Sequence, residues 1–257
     1  MTPLRVLILG GTGEALALSR ALVGDHRFAA TLSLAGRTTL PVLPPIGHRL
    51  GGFGGVAGMV AYLRAERIAA LVDATHPFAA RISQHALAAA RESGIPLLAL
   101  RRPAWEPKPG EHWTMVPDLA AAVTALGETP ARVFLTIGRQ ELAPFRAAPW
   151  HFYVIRSVEP PDPADLPPRA EIIAARGPFA EADERALLIE KGVEVLVTKN
   201  SGAQAVRGKL DAARGLGIAV VMVTRPILPD ADHVAADAEG ARAWLVARHA
   251  ELARRGV

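Results

Sequence analysis

Two strand-to-helix turns, Gly10-Gly11-Thr12-Gly13-Glu14 and Thr198-Lys199-Asn200-Ser201-Gly202, lie far apart in this 257-residue chain; each follows an apolar run and opens a helical pattern. A strand that is apolar throughout, as Val6-Leu7-Ile8-Leu9 is, must be covered on both faces, which is the condition of a parallel sheet flanked by helices. In open sheets of that kind ligands bind beyond the carboxyl ends of the strands, so each half of the chain is expected to hold one.

After the first turn, Ala15, Leu18 and Leu22 recur at helical spacing. Glycine there permits a sharp bend and lets a pyrophosphate reach the amides at the helix N-terminus. Gly11-x-Gly13 opens the G-x-G-x-x-G dinucleotide fingerprint, but the third position is Leu16, and a merely structural tight turn is the competing reading. About 20 residues on, an NAD-binding fold carries an acid for the ribose. Here the chain reads Ser33-Leu34-Ala35-Gly36-Arg37. A hydroxyl and a guanidinium suit a 2′-phosphate, so NADPH is the expected cofactor and Ser33 and Arg37 its readers; for Arg37 alone, the alternative is a solvated loop arginine.

Strands alternate with helices throughout, which implies right-handed crossovers and parallel sheets. In the first half, strands are expected at Thr31–Leu34, Ala69–Asp73 and Ile95–Leu100, and helices at Val56–Arg67 and Ala79–Arg91. Arg101–Pro109, with three prolines and no periodicity, reads as a linker. Strands then follow at Arg132–Ile137, His151–Ile155, Glu171–Ala175, Val193–Val197 and Ile218–Val223, with helices at Leu119–Leu126, Glu181–Glu190, Ala203–Arg214 and Ala238–Arg254. The expectation is an α/β protein of two doubly wound, Rossmann-like domains, an NADP-binding one over 1–107 and a second over 108–257, with a cleft between them.

Composition narrows the function classes. Zero cysteines exclude disulfides, thiolate metal sites and a cysteine nucleophile, and fit a cytoplasmic location. No apolar stretch approaches 18 residues, so neither a signal peptide nor a membrane span is expected. The net charge of +4 does not point to nucleic acid. Residues 1–107 hold eleven basic against six acidic side chains, and 108–257 eighteen against nineteen. There is no basic run, and the aromatics do not interleave with basic residues. Scattered arginines facing small anions explain the balance better.

The remaining motifs fall at strand ends. Asp73-Ala74-Thr75-His76-Pro77-Phe78 faces the same crevice as the glycine turn, placing Thr75 and His76 beside a cofactor; a capping or packing histidine is the alternative. A metal is not expected, since no second ligand at helical spacing accompanies His76. Arg139 and Arg176 each follow a strand in the second half, positioned to meet carboxylates or phosphates, as is Lys199, one of only four lysines against 25 arginines. For Asn200 and Ser201, helix N-capping competes with ligand contact. Other enzyme classes lack their signatures. The tyrosines, Tyr62 and Tyr153, are followed four residues on by Glu66 and Ser157, so no Tyr-x-x-x-Lys pair exists. Gly208-Lys209 fails as a P-loop, with Leu210 where the metal-binding hydroxyl belongs, and no Gly-x-Ser-x-Gly elbow occurs.

Through Gly10-Gly11-Thr12-Gly13-Glu14, Asp73-Ala74-Thr75-His76-Pro77-Phe78-Ala79, Ala175-Arg176-Gly177-Pro178-Phe179, Thr198-Lys199-Asn200-Ser201-Gly202 and Thr224-Arg225-Pro226, the chain resembles the precorrin-6A reductase family almost end to end. The resemblance implies NADPH-dependent reduction of one carbon–carbon double bond of the precorrin-6A macrocycle to give precorrin-6B, in cobalamin biosynthesis. Together with the residue reading above, this puts Gly11, Thr12, Gly13, Glu14, Ser33, Arg37, Thr75 and His76 at the cofactor as expectations. Arg139, Arg176, Lys199, Ser201 and Arg225 would anchor the carboxylates of the tetrapyrrole, with Lys199 and His76, alongside water, as candidate proton donors. A monomer is the working expectation. The alternatives are a non-catalytic NADP-binding sensor and a reductase of another polyanion.

Overall fold

In a computed structural model, residues 2–36, 43–228 and 230–254 are described. The chain forms two units, Met1–Pro103 with Pro226–Val257, and Ala104–Arg225. The first begins with β1 (Leu4–Leu9), whose Val6 and Ile8 face one cluster with Leu18 and Leu32 while Leu7 and Leu9 face another with Met59 and Leu63. Both faces of β1 are therefore buried, as its unbroken apolar run requires. Helix α1 (Gly13–Ala21) starts where the Thr12 hydroxyl accepts the Ala15 N–H, an N-cap three residues after the end of β1. Then follow β2 (Phe28–Leu34), β3 (Gly47–Leu50), α2 (Gly55–Ala65), β4 (Ala70–Asp73), α3 (Ala80–Ser93) and β5 (Leu97–Leu100).

The second unit contains β6 (Trp113–Val116), α4 (Leu119–Ala125), β7 (Arg132–Thr136), β8 (Phe152–Ser157), β9 (Ala170–Ala174), α5 (Glu181–Glu190), β10 (Val195–Lys199), α6 (Gly208–Leu216) and β11 (Ala219–Val223). The chain then returns to the first unit with β12 (His233–Ala235) and α7 (Ala238–Arg254). β12 pairs in parallel with β5, and Ala241 and Leu245 of α7 are fully buried in the cluster that holds Leu18.

This return corrects the expected division at 107. Residues 226–257 belong to the first unit, because the outer face of α1 and the free edge of β5 are apolar or unpaired until α7 and β12 cover them. A three-residue strand in a loop rich in Pro and Asp carries almost no periodic signal. The same is true of β3 and of β6, neither of which was expected as a strand. The helix expected at Ala203–Arg214 is a 3-10 turn at Gln204–Val206 followed by α6.

The order in space is β3-β2-β1-β4-β5-β12 in one sheet and β9-β8-β7-β10-β11-β6 in the other, all parallel. Each is the Rossmann order 3-2-1-4-5-6. In each, the sixth position is filled from outside the main run of the unit: by a late strand in the first, by an early one in the second. The strand order reverses between β1 and β4 and between β7 and β10. Those two points are where the loops on either side diverge and leave a crevice.

Candidate functional site

In the first unit, the glycine turn follows β1 and Asp73-Ala74-Thr75-His76 follows β4, so the two loops flank the switch point. The Thr12 hydroxyl joins them, donating to the Ala74 carbonyl at 2.7 Å while it caps α1. Gly11 has φ +108°, and a Cβ on Gly11 or Gly13 would meet nothing within 4 Å, so open space lies over the helix N-terminus. Thr12 satisfies the Ala15 and Leu16 amides; helical geometry leaves those of Gly13 and Glu14 directed into that space. An anion of pyrophosphate size fits such a cradle electrostatically and sterically. Gly10 has a different role, since a Cβ there would lie 2.6 Å from Leu32 Cδ1. It lets β2 pack closely against the turn.

Glu14 does not face that space alone. Its carboxylate forms an ion pair with Arg102, which offsets a negative charge that a phosphate would otherwise meet. Thr75 turns back on its own strand, its hydroxyl donating to Asp73 Oδ1 at 2.7 Å; Asp73 is buried and also receives Arg101 at 3.4 Å. The His76 ring accepts the Phe78 N–H on Nδ1 at 3.3 Å. A neutral His76 therefore carries its proton on Nε2. Ser33 is buried at the end of β2, next to the glycine turn through the Gly10 N–H to Ser33 carbonyl bond of 2.9 Å. Its partner is Arg49, which donates to Ser33 Oγ at 2.8 Å. Arg37 lies outside the described residues.

In the second unit, Gly138-Arg139 follows β7 and Asn200-Ser201 follows β10. Arg139 pairs with Glu159 at 3.0 Å and donates to the Pro160 carbonyl at 3.2 Å. Lys199 forms an ion pair with Glu141, two residues after Arg139. Asn200 is held by two hydrogen bonds to the Trp105 backbone, its Oδ1 accepting the main-chain N–H at 2.7 Å and its Nδ2 donating to the carbonyl at 2.9 Å. Ser201 Oγ accepts the Ala203 N–H at 3.4 Å, a local turn rather than the cap of α6. Arg225, two residues beyond the end of β11, grips the same turn, donating to the Asn200 carbonyl at 2.9 Å and the Ser201 carbonyl at 3.1 Å. Lys199, Ser201, Arg139 and Arg225 are thus gathered at the carboxyl ends of β7, β10 and β11. Arg176 is exposed in the loop after the edge strand β9.

One further lysine is weighed in the sequence only as part of a P-loop. Lys209, in the first turn of α6, is buried with its ammonium 5.7 Å from the Trp105 ring centre, and burial, with Arg156 adding to it, pushes its pKa down to about 7. Its neighbour Arg156 is bidentate to buried Glu184 and stacks 3.7 Å from the Phe179 ring centre. The scarcity of lysine that drew attention to Lys199 applies to Lys209 as well. Among the described residues, no group of three His, Cys, Asp or Glu side chains is disposed to hold a metal ion.

Two parallel sheets in the Rossmann strand order, one with open space over a helix N-terminus at its switch point and the other with a set of cations there, define a two-unit α/β protein. A family model described as "Precorrin-6x reductase CbiJ/CobK" matches residues 5–246. The chain belongs to that family. It is 52% identical over 94% of its length to the precorrin-6A reductase of Rhodococcus erythropolis, of which it covers 97%. It is 48% identical over 94% of its length to that of Rhodobacter capsulatus, covering 95%. The solved structure of a CobK precorrin-6A reductase superposes with a TM-score of 0.89 at 47% identity, over 95% of this chain and 96% of that one. Among the described residues no helix is long and apolar enough to cross a membrane.

Proposed function

We propose that the chain is an NADPH-dependent precorrin-6A reductase that yields precorrin-6B in cobalamin biosynthesis, acting in the cytoplasm as a monomer. The observation that carries this reading is the cradle at Gly11-Thr12-Gly13, where open space meets a capped helix N-terminus in a chain of this reductase family. NADPH, when bound, supplies the hydride. Gly11 and Gly13 admit its pyrophosphate, Thr12 holds the turn in shape, and Glu14 is kept in a neutral pair by Arg102. Ser33 and Arg37 read the 2′-phosphate, and Thr75 and His76 border the nicotinamide. The substrate carries many carboxylates, which Arg139, Arg176, Lys199, Ser201 and Arg225 bind and orient. The proton that completes the reduction comes from Lys199, from His76 or from solvent.

Anaerobic incubation with NADPH and precorrin-6A tests the proposal, following the visible spectrum of the ring and the 340 nm band of NADPH. Stoichiometric loss of both is the expected result. Tight NADPH binding with no change in the tetrapyrrole would instead support an NADP-binding sensor.

A further inference from the structure

We infer that Arg49, together with Ser33 and Arg37, distinguishes NADPH from NADH in this protein, a step that rests on the cofactor reading above. Arg49 lies on β3 directly opposite Ser33 of β2 in parallel register, so both side chains emerge on one face at the carboxyl edge. In the doubly wound fold the end of the second strand is where the ribose 2′ position is read. There the chain has a buried serine and, through β3, a guanidinium in contact with it.

The guanidinium is held in one orientation by three neutral acceptors. Nη1 donates to Ser33 Oγ at 2.8 Å and to the Gly51 carbonyl at 3.0 Å, and Nη2 donates to the Gly52 carbonyl at 3.0 Å. Its plane is supported by Phe53, 3.9 Å from Cζ to the ring centre, and by Tyr62 at 5.0 Å. The remaining N–H groups, on Nε and Nη2, are the edge that meets an oxyanion side-on. Charge points the same way. Arg101 and Arg102, nearby in the same unit, are paired with Asp73 and Glu14, whereas among the described residues no carboxylate lies against Arg49. A part-buried cation fixed by neutral groups, with an edge left over, is arranged for an external anion.

This also accounts for Gly51-Gly52-Phe53-Gly54-Gly55. Gly51 has φ +104°, and the bend it allows turns two successive carbonyls toward the arginine. The aromatic ring between the glycine pairs supplies the stacking surface.

The test is a titration of the purified full chain with NADPH, NADH and 2′,5′-ADP, read by quenching of tryptophan fluorescence, with a thermal melt to verify folding. The native protein is expected to bind NADPH more tightly than NADH. Arg49→Ala should lower NADPH affinity by about 10- to 100-fold, abolish competition by 2′,5′-ADP and leave NADH affinity within about twofold. Arg49→Lys keeps the charge and the aliphatic stem; it should retain the fold and lose most of the preference, because a point charge cannot replace the fork. Ser33→Ala should show a smaller loss in the same direction. Should Arg49→Ala or the lysine variant keep the native NADPH to NADH ratio while Arg37→Ala abolishes it, the inference is overturned and the cofactor reading stands. If the native protein binds neither dinucleotide, or both equally, the cofactor reading falls and the inference with it.

Discussion

At the scale of single residues, neighbouring glycines have opposite reasons for being glycine. Gly10 leaves room for Leu32, while Gly13 leaves room for nothing within the protein. Gly13→Val is therefore expected to fold with a melting temperature near that of the native chain and to lose NADPH binding, since the added methyls occupy the phosphate space. Normal NADPH titration by a folded Gly13→Val would place the phosphates elsewhere. Lys209 makes a prediction about pH. Its folded pKa is depressed to about 7 from an ordinary 10.5, so between those values the unfolded chain binds more protons than the folded one. Stability must then rise with pH across that window, and the full cost of burying the charge is present below it. Lys209→Met should stabilise the protein by a few kcal/mol at pH 7 and flatten the rise between pH 7.5 and 9.5. Urea unfolding at the two pH values checks this; a variant with the native slope would show that Lys209 is not the group responsible.

At the scale of elements, the last segment of the chain completes the first sheet. α7 buries Ala241 and Leu245 against α1, and Arg242 reaches Asp25 at 3.3 Å, whose carboxyl the Arg27 fork already holds well below the usual range. Removing residues 226–257 uncovers one face of the cluster around Leu18 and the edge of β5. The buried contacts of Ala241 and Leu245 are lost and the apolar side chains they cover are exposed, each worth about 1.5–3 kcal/mol for a large residue, against a total stability of about 5–15 kcal/mol. The truncated chain is expected to lose both NADPH binding and the native urea midpoint. Retention of both would mean that α7 is dispensable to the cofactor unit. The buried Arg156–Glu184 pair sets a second test within the other unit: Glu184→Gln leaves the guanidinium uncompensated and should cost about 3–5 kcal/mol, read from the urea midpoint.

At the scale of the whole molecule, the two switch points imply a division of labour. Lys199 and Arg139 belong to the second unit and the glycine turn to the first. Lys199→Ala is expected to lower turnover of precorrin-6A at least tenfold while leaving NADPH affinity within about twofold. Arg176→Ala, by contrast, should chiefly raise the Michaelis constant. A role for Lys199 in proton delivery depresses the maximal rate, whereas anchoring alone raises the Michaelis constant. Full activity of Lys199→Ala at subsaturating substrate would reduce the segment from Thr198 to Gly202 to a structural turn stabilised by Arg225 and Trp105.

What the amino-acid order determined by itself is the pair of parallel sheets and the loops that carry chemistry. Both follow from local facts: apolar runs of strand length, helical spacing after them, and glycines where the backbone turns sharply with open space above it. Three things were decided only by tertiary structure. The sixth strand of each sheet, β12 in one and β6 in the other, is too short to show a period and is a strand only because an open edge accepts its backbone. The membership of α7 depends on which apolar face it covers, and an amphipathic pattern does not name its partner. Arg49 and Ser33 are 16 residues apart in sequence and become one site only through the register of β2 with β3, because hydrogen bonding between strands sets that register in space and leaves no mark on the spacing along the chain.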